Sequence, residues 1–215
     1  YWPWRLGREA TLFDCKMRYT DMIHAIRTGD KLAGTIEVQP HYGKYHFDGH
    51  RSCGVVLQPS ETKKLKGLCP QCKSPLTIGV QYRVDQLADR PEGYVKKNGK
   101  PFRSSIPLSE ILAMVLKSGI ATKKVWTMYH ALIAAFGNEY AVLFDADLEN
   151  IGMRTHPTIA KIIGLSREGE LTIEPGYDGV YGKPVLEGVD LQRISDEPAK
   201  VVSPLQNQQK SLKDF

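Results

Sequence analysis

His50-Arg51-Ser52-Cys53 and Cys69-Pro70-Gln71-Cys72 place four soft or borderline donors in two knuckles of the same two-residue spacing. Such a spacer lets both donors of a knuckle face one ion from a tight turn, and two knuckles supply the four ligands that tetrahedral Zn²⁺ takes in closed structural sites. His50, Cys53, Cys69 and Cys72 are therefore the expected metal ligands. His46, in Tyr45-His46-Phe47-Asp48-Gly49-His50, stands in reserve for the histidine position. A closed site leaves no open position for water, so its metal holds structure and does no chemistry. Binding energy there becomes folding energy for a segment too small to make its own core. A redox CxxC fits less well, because Lys73-Ser74-Pro75 follows and Pro75 opposes the helix such a motif needs. A disulfide would want an export signal, and the start of the chain reads as none. Cys15, far away in sequence, reads as a small core residue.

The elements that must position these residues follow from periodicity. Thr11 to Phe13 and Gly34 to Val38 favour strands, separated by a helix capped by Thr20, with Met22, Ile23 and Ile26 on its inner face, ending near Gly29. The ribbon carrying the knuckles is expected over 45–84, with Leu76 to Val84 as its closing strand. From Leu87 to Ser105 the chain is rich in Pro, Gly and Asn and has no period, which predicts a linker. Leu108, Ile111, Leu112, Val115 and Leu116 make one apolar stripe, with Pro107 suited to the first turn. Val125 to Phe136 behind Thr122, and Tyr140, Phe144, Leu148 and Ile151 behind Asn138, predict two more helices. Pro157 with Ile159, Ile162 and Ile163 predicts a fourth. Leu171 to Glu174 and Val180 to Leu186 bracket the Gly-rich turn Pro175-Gly176-Tyr177-Asp178-Gly179 as a β-hairpin. Beyond about Ile194 the polar, aperiodic tail is expected to be mobile.

With 215 residues, 41% hydrophobic and 25% charged, and a net charge of +5, the chain is neither collagen-like, wholly disordered nor a disulfide scaffold. No apolar run approaches the roughly 20 residues of a membrane helix. A soluble, intracellular (cytoplasmic) protein is expected, and the opening on Tyr1-Trp2-Pro3-Trp4 suggests a piece of something longer.

Several segments together resemble endonuclease Q, a DNA-repair nuclease whose catalytic part belongs to the polymerase-and-histidinol-phosphatase (PHP) superfamily. They are Pro3 to Glu9, Gly43 to Arg51, the CxxC, Leu87 to Tyr94, Ile106 to Ile111 and Glu174 to Lys183. The resemblance implies the C-terminal half of an enzyme that nicks DNA 5′ of deaminated bases (uracil, hypoxanthine) or abasic sites. It also implies that the divalent metals of catalysis (Mg²⁺, Mn²⁺ or Zn²⁺) belong to an N-terminal half, in cis or on a second chain. The expected architecture is α+β and multidomain. It comprises the end of a PHP-type α/β barrel over 1–44, a zinc ribbon over 45–84, a basic linker over 85–106, a helical bundle over 107–166, a β-hairpin over 167–194 and a tail over 195–215. The residue inventory points the same way. Metal-assisted phosphodiester hydrolysis wants several His and carboxylates converging on the ions, whereas His24, His41, His130 and His156 are scattered without ligand spacing. No catalytic residue is assigned.

DNA is the expected partner, met through local clusters because +5 is mild. Lys63, Lys64 and Lys66 lie between the knuckles; Lys96, Lys97, Lys100 and Arg103 lie in the linker, interleaved with Tyr94 and Phe102. They read either as phosphate contacts with stacking aromatics or as solvated basic loops. Ser118 to Val125 looks like a helix-hairpin-helix turn in which Lys123 and Lys124 add charge at a helix N-terminus, although Ala121 stands where that motif expects a second glycine; a plain αα-hairpin is the alternative. Gln209, Leu212 and Phe215 fit QxxLxxF, a pattern resembling the peptide by which repair enzymes dock on a sliding clamp, or a chance match in a polar tail. A non-enzymatic zinc-ribbon adaptor that binds nucleic acid or protein is the competing function.

Overall fold

A computed structural model describes residues 7–185, which divide into two compact units, 7–105 with 169–185 and Ile106–Glu168. The first unit begins with β1 (Ala10–Phe13), α1 (Tyr19–Thr28) and β2 (Leu32–Glu37). The knuckle region follows with β3 (Asp48–His50), β4 (Val55–Leu57), α2 (Pro59–Lys64) and α3 (Val80–Leu87), and β5 (Phe102–Ser104) closes this stretch. The second unit holds α4 (Leu108–Val115), α5 (Lys123–Phe136), α6 (Leu148–Arg154) and α7 (Pro157–Glu168). The chain then returns to the first unit through β6 (Ile173–Glu174) and β7 (Lys183–Pro184). The α+β character expected from sequence is what the molecule shows. No helix among the described residues is long and apolar enough to cross a membrane.

In the first unit β2 is central, antiparallel to β1 and parallel to β5. The expected structureless linker is therefore partly strand. Phe102 to Ser104 extend the free edge of β2, and the Thr35 amide donates to Pro101 O at 3.1 Å. Helix α1 starts at Tyr19 after an extended Arg18 that pairs with Asp21 at 2.7 Å, so Thr20 lies inside the helix instead of capping it. Ala25 is its buried residue and Ile26 faces outward, 59% exposed.

The expected closing strand over Leu76 to Val84 is not formed, because Val80–Leu87 is helix. The orphan amides that open a helix need partners. Here the Val80 amide donates to Tyr45 O at 2.7 Å, that of Gln81 to His46 O at 3.0 Å, and that of Gly79 to the buried Asp48 carboxylate at 2.6 Å. Those three bonds settle the segment as α3.

The core of the second unit is aliphatic: Leu108, Ile111, Leu112, Val125, Leu132, Val142, Ile151, Ile159, Ile162 and Ile163 are each at most 1% exposed. Helix α4 packs on α5 and α7, and α6 packs on α7. The stripe Tyr140 to Ile151 is broken, where one helix was expected. A π-helical turn occupies Ala141–Asp145, Ala146 is extended, and Asp147 caps α6 by accepting from the Asn150 amide at 2.9 Å. The freed carbonyls are taken by Arg167 of α7, which donates to Val142, Leu143 and Ala146 at 2.6–3.0 Å. Burial of that guanidinium lowers its pKa. Thr122 precedes α5 as expected, but its hydroxyl meets Ser118 Oγ at 2.9 Å and caps nothing. Gln209, Leu212 and Phe215, with the rest of the tail, lie outside the described residues.

Candidate functional site

His50 ends β3, and Arg51–Cys53 form a tight 3-10 turn before β4 returns antiparallel. The second knuckle closes with the Cys69 amide donating to Ser74 O at 2.8 Å and the Lys73 amide to Cys69 O at 2.9 Å. This brings together the four donors named from spacing: one ligand atom each of His50, Cys53, Cys69 and Cys72, all within 4.8 Å of one another. Ligands about 2.3 Å from a tetrahedral ion stand roughly 3.8 Å apart, so the set fits one small ion after modest contraction. No other His, Cys, Asp and Glu group of this kind occurs among the described residues.

The thiols show why the set suits a cation. Hydrogen bonds from the Ser74 side chain and backbone pull Cys72 down to about 6, while a hydrogen bond with Cys72 and burial push Cys53 up to about 11. Cysteine ligates a metal as thiolate, so a cation bound here would take the place of thiol protons. The surrounding core is only Val55, Cys69 and Leu76, with Cys53 and Leu57 packed against it. That is too little apolar surface to fix the knuckles unaided.

His46, the reserve ligand, is outside the quartet. It is 6% exposed, stacked on Phe47 at 4.8 Å and edge-on to His41 at 4.4 Å. Burial, and secondly the His41 charge, lower its pKa to about 4, so it is neutral at physiological pH.

The β6–β7 loop locks onto the first knuckle, a feature spacing alone does not reveal. Asp178 accepts from the Arg51 amide and from the Thr77 hydroxyl, each at 2.6 Å. Those two bonds, the Arg51 amide first, hold its carboxyl below the ordinary range. Two glycines allow the approach. A Cβ on Gly49 would come within 2.5 Å of the Tyr177 ring, and one on Gly176 within 2.3 Å of Gly43 O. Both belong to the segments Gly43 to Arg51 and Glu174 to Lys183, which are thus one interlocked structure.

The basic residues lie on separate elements. Lys63 is ion-paired to Asp85 of α3 and sits over the Tyr82 ring at 5.6 Å, which compensates its charge. Lys64 and Lys66 are exposed, as are Lys96, Lys97 and Lys100 in the loop before β5 and Arg103 within it. Tyr94 is 55% exposed beneath Arg90, and Phe102 is 66% exposed. Lys123 and Lys124 open α5 on the helical unit, also exposed. Two features of α5 escape motif reading. Glu139 accepts from the Leu108 amide at 2.7 Å and from the Tyr129 hydroxyl at 2.8 Å. Trp126, Tyr129 and His130 form a ring cluster.

Residues 107–170 match the family model described as the MJ0043 C-terminal domain. Over 207 residues the chain is 32% identical to "Uncharacterized protein MJ0043" of Methanocaldococcus jannaschii, covering 94% of this chain and 25% of that protein. It is 29% identical to "Uncharacterized protein YqxK" of Bacillus subtilis, covering 83% of this chain and 43% of that one. Among solved structures it resembles the lesion-specific endonuclease PfuEndoQ of Pyrococcus furiosus, with TM-score 0.78, 31% identity, 90% of this chain and 48% of the other. A second is endonuclease Q in complex with a 27-mer duplex substrate bearing an abasic lesion at the active site, with TM-score 0.71, 30% identity, 96% of this chain and 50% of the other. The chain thus has the fold of about half of endonuclease Q, and spans half or less of each relative named. With the match to a C-terminal domain, that fits a C-terminal half.

Proposed function

We propose that this chain is the DNA-gripping part of an endonuclease Q-type repair enzyme. The enzyme would cut DNA on the 5′ side of a deaminated base, such as uracil or hypoxanthine, or of an abasic site. The observation that carries this is the likeness, over 90% and 96% of the chain, to a lesion-specific endonuclease and to an endonuclease Q holding an abasic duplex. The ligands of the hydrolytic metals would come from the part of the enzyme outside this match, in cis or on a second chain. Residues 1–44 would be the edge of the PHP-type barrel they sit in.

The role left to this chain is binding and shaping the duplex. His50, Cys53, Cys69 and Cys72 would hold a structural Zn²⁺, which supplies rigidity and no reaction step. The loop anchored by Asp178 stiffens the same knuckle. Exposed Lys64, Lys66, Lys96, Lys97, Lys100 and Arg103, with Lys123 and Lys124 on α5, would neutralise phosphates; Lys63, already paired with Asp85, would contribute least. Rigid phosphate contacts are what a base-processing enzyme needs while a nucleotide leaves the stack. Gln209, Leu212 and Phe215 would dock on a sliding clamp as one helical turn. A clamp pull-down comparing the intact chain with one ending at Gln208 tests this, and equal recovery refutes it.

Duplex affinity tests the DNA role. In Lys123→Glu/Lys124→Glu, loss of two phosphate contacts lowers the salt slope of log K by about 1.8. Metal content stays unchanged, because the quartet lies in the other unit. Unchanged low-salt affinity refutes the role of α5.

A further inference from the structure

We propose that the aromatic face of α5 is a stacking platform for an unpaired nucleobase, so that this helix holds single-stranded DNA as well as duplex phosphates. This rests on the DNA-binding reading above and specifies which DNA the helix takes. Trp126 lies 4.8 Å from Tyr129 at 55° and 5.7 Å from His130 at 41°, with Tyr129 and His130 edge-on at 5.6 Å. The core side of α5 is carried by Val125 and Leu132, at most 1% exposed. Trp126 sits half-buried at the flank, next to exposed Lys123, Thr127 and His130. Lys123, Trp126, Thr127 and His130 follow i, i+3, i+4 and i+7, which places a cation and two rings on one face.

Two further observations fit a nucleic-acid occupant. The platform is held rigid, because Glu139 fixes the Tyr129 hydroxyl with one carboxylate oxygen and the Leu108 amide with the other. Burial and the Glu139 charge keep that hydroxyl protonated and donating. The segment itself is also one-sided in charge, and the Glu139 carboxylate at the Tyr129 end is taken up by the Tyr129 hydroxyl and the Leu108 amide. No Asp or Glu occurs from Lys117 to Phe136, while Lys117, Lys123 and Lys124 cluster at the turn that opens the helix. That turn is tightened by Ser118 Oγ meeting Thr122 Oγ1 at 2.9 Å. An apolar protein partner gains nothing from three lysines at the rim. A single strand uses both parts, with phosphates on the lysines and a base on the indole, and since every base has a π-face the preference is for unpaired over paired DNA and not for sequence.

The full chain is titrated with oligothymidylate and, separately, with a fully paired duplex, in anisotropy. Trp126→Ala should lose roughly tenfold or more in affinity for oligothymidylate, the scale of one stacked base, and keep its duplex affinity. Equal oligothymidylate affinity in the two chains overturns the proposal. A second measurement covers poor folding of that variant: in Trp2→Phe/Trp4→Phe, where Trp126 is the remaining indole, oligothymidylate should quench the emission to saturation. Emission unmoved at saturating oligothymidylate overturns the platform while leaving duplex binding standing. Failure of the unaltered chain to bind either DNA overturns both.

Discussion

Asp178→Asn tests whether the hairpin loop stiffens the metal knuckle. The native carboxylate accepts two bonds of 2.6 Å, from the Arg51 amide within the HxxC turn and from the Thr77 hydroxyl. Bonds to a charged acceptor contribute roughly 1.5–3 kcal/mol each, and the partial exposure of Asp178 puts both at the lower end. Asparagine keeps one oxygen and turns an NH₂ toward the other donor, so the expected loss is about 2 kcal/mol. At roughly 2–4 °C per kcal/mol for a chain of this size, the melting temperature should fall by about 4–8 °C. The carboxyl is held below its ordinary value by these bonds, so its contribution is full above its unfolded pKa and is lost as pH falls through the folded one. The gap between native chain and variant should hold through neutral pH and close only below about 4. Scanning calorimetry gives the melting temperature, and transfer of metal to a chromophoric chelator gives the release rate, expected to be faster in the variant. Equal melting temperatures with equal release rates would refute the Asp178 lock on the knuckle.

Three other outcomes are expected. Cys69→Ser, at a fully buried position of the quartet, should abolish stoichiometric Zn²⁺ by elemental analysis. Far-UV circular dichroism should then show loss of structure around residues 45–82 with the helical unit retained, and full metal content in the variant would sink the ligand assignment. Glu139→Ala leaves the Leu108 amide and the Tyr129 hydroxyl without their acceptor, which should lower stability to urea by about 2–4 kcal/mol; an unchanged midpoint would contradict a stabilising role for the two bonds. His46, lowered to about 4 in the fold, takes up its proton first in the unfolded chain, so stability should decline from about pH 6.5 toward 4 by up to about 1.4 kcal/mol per pH unit. Comparing urea midpoints of the metal-loaded chain and His46→Leu isolates that contribution, and parallel pH profiles would rule it out.

What the sequence made legible was local. The quartet could be named because two-residue spacers are themselves the geometry of a knuckle, and α4, α5 and α7 because a period of 3.6 needs no knowledge of partners. What escaped was decided across distance. Helix α3 exists because its first amides find the carbonyls of Tyr45 and His46, and β5 because β2 offers an edge. The break before α6 depends on Arg167, more than twenty positions downstream of the carbonyls it satisfies. Asp178 reaches partners 101 and 127 positions away, and no window of sequence contains both ends of such a bond. The Trp126-Tyr129-His130 triplet had a usable signal, i, i+3 and i+4 on a helix, but a helix face reads as core until burial is known.

The decisive measurement is the affinity of the intact chain for one labelled duplex with and without a single abasic site, taken by anisotropy over a salt series. A DNA-gripping part built on phosphate contacts should bind both, the abasic duplex at least as tightly, and weaken linearly in log K against log salt. No binding at low salt, or an affinity that salt leaves unchanged for both duplexes, would contradict the proposed role.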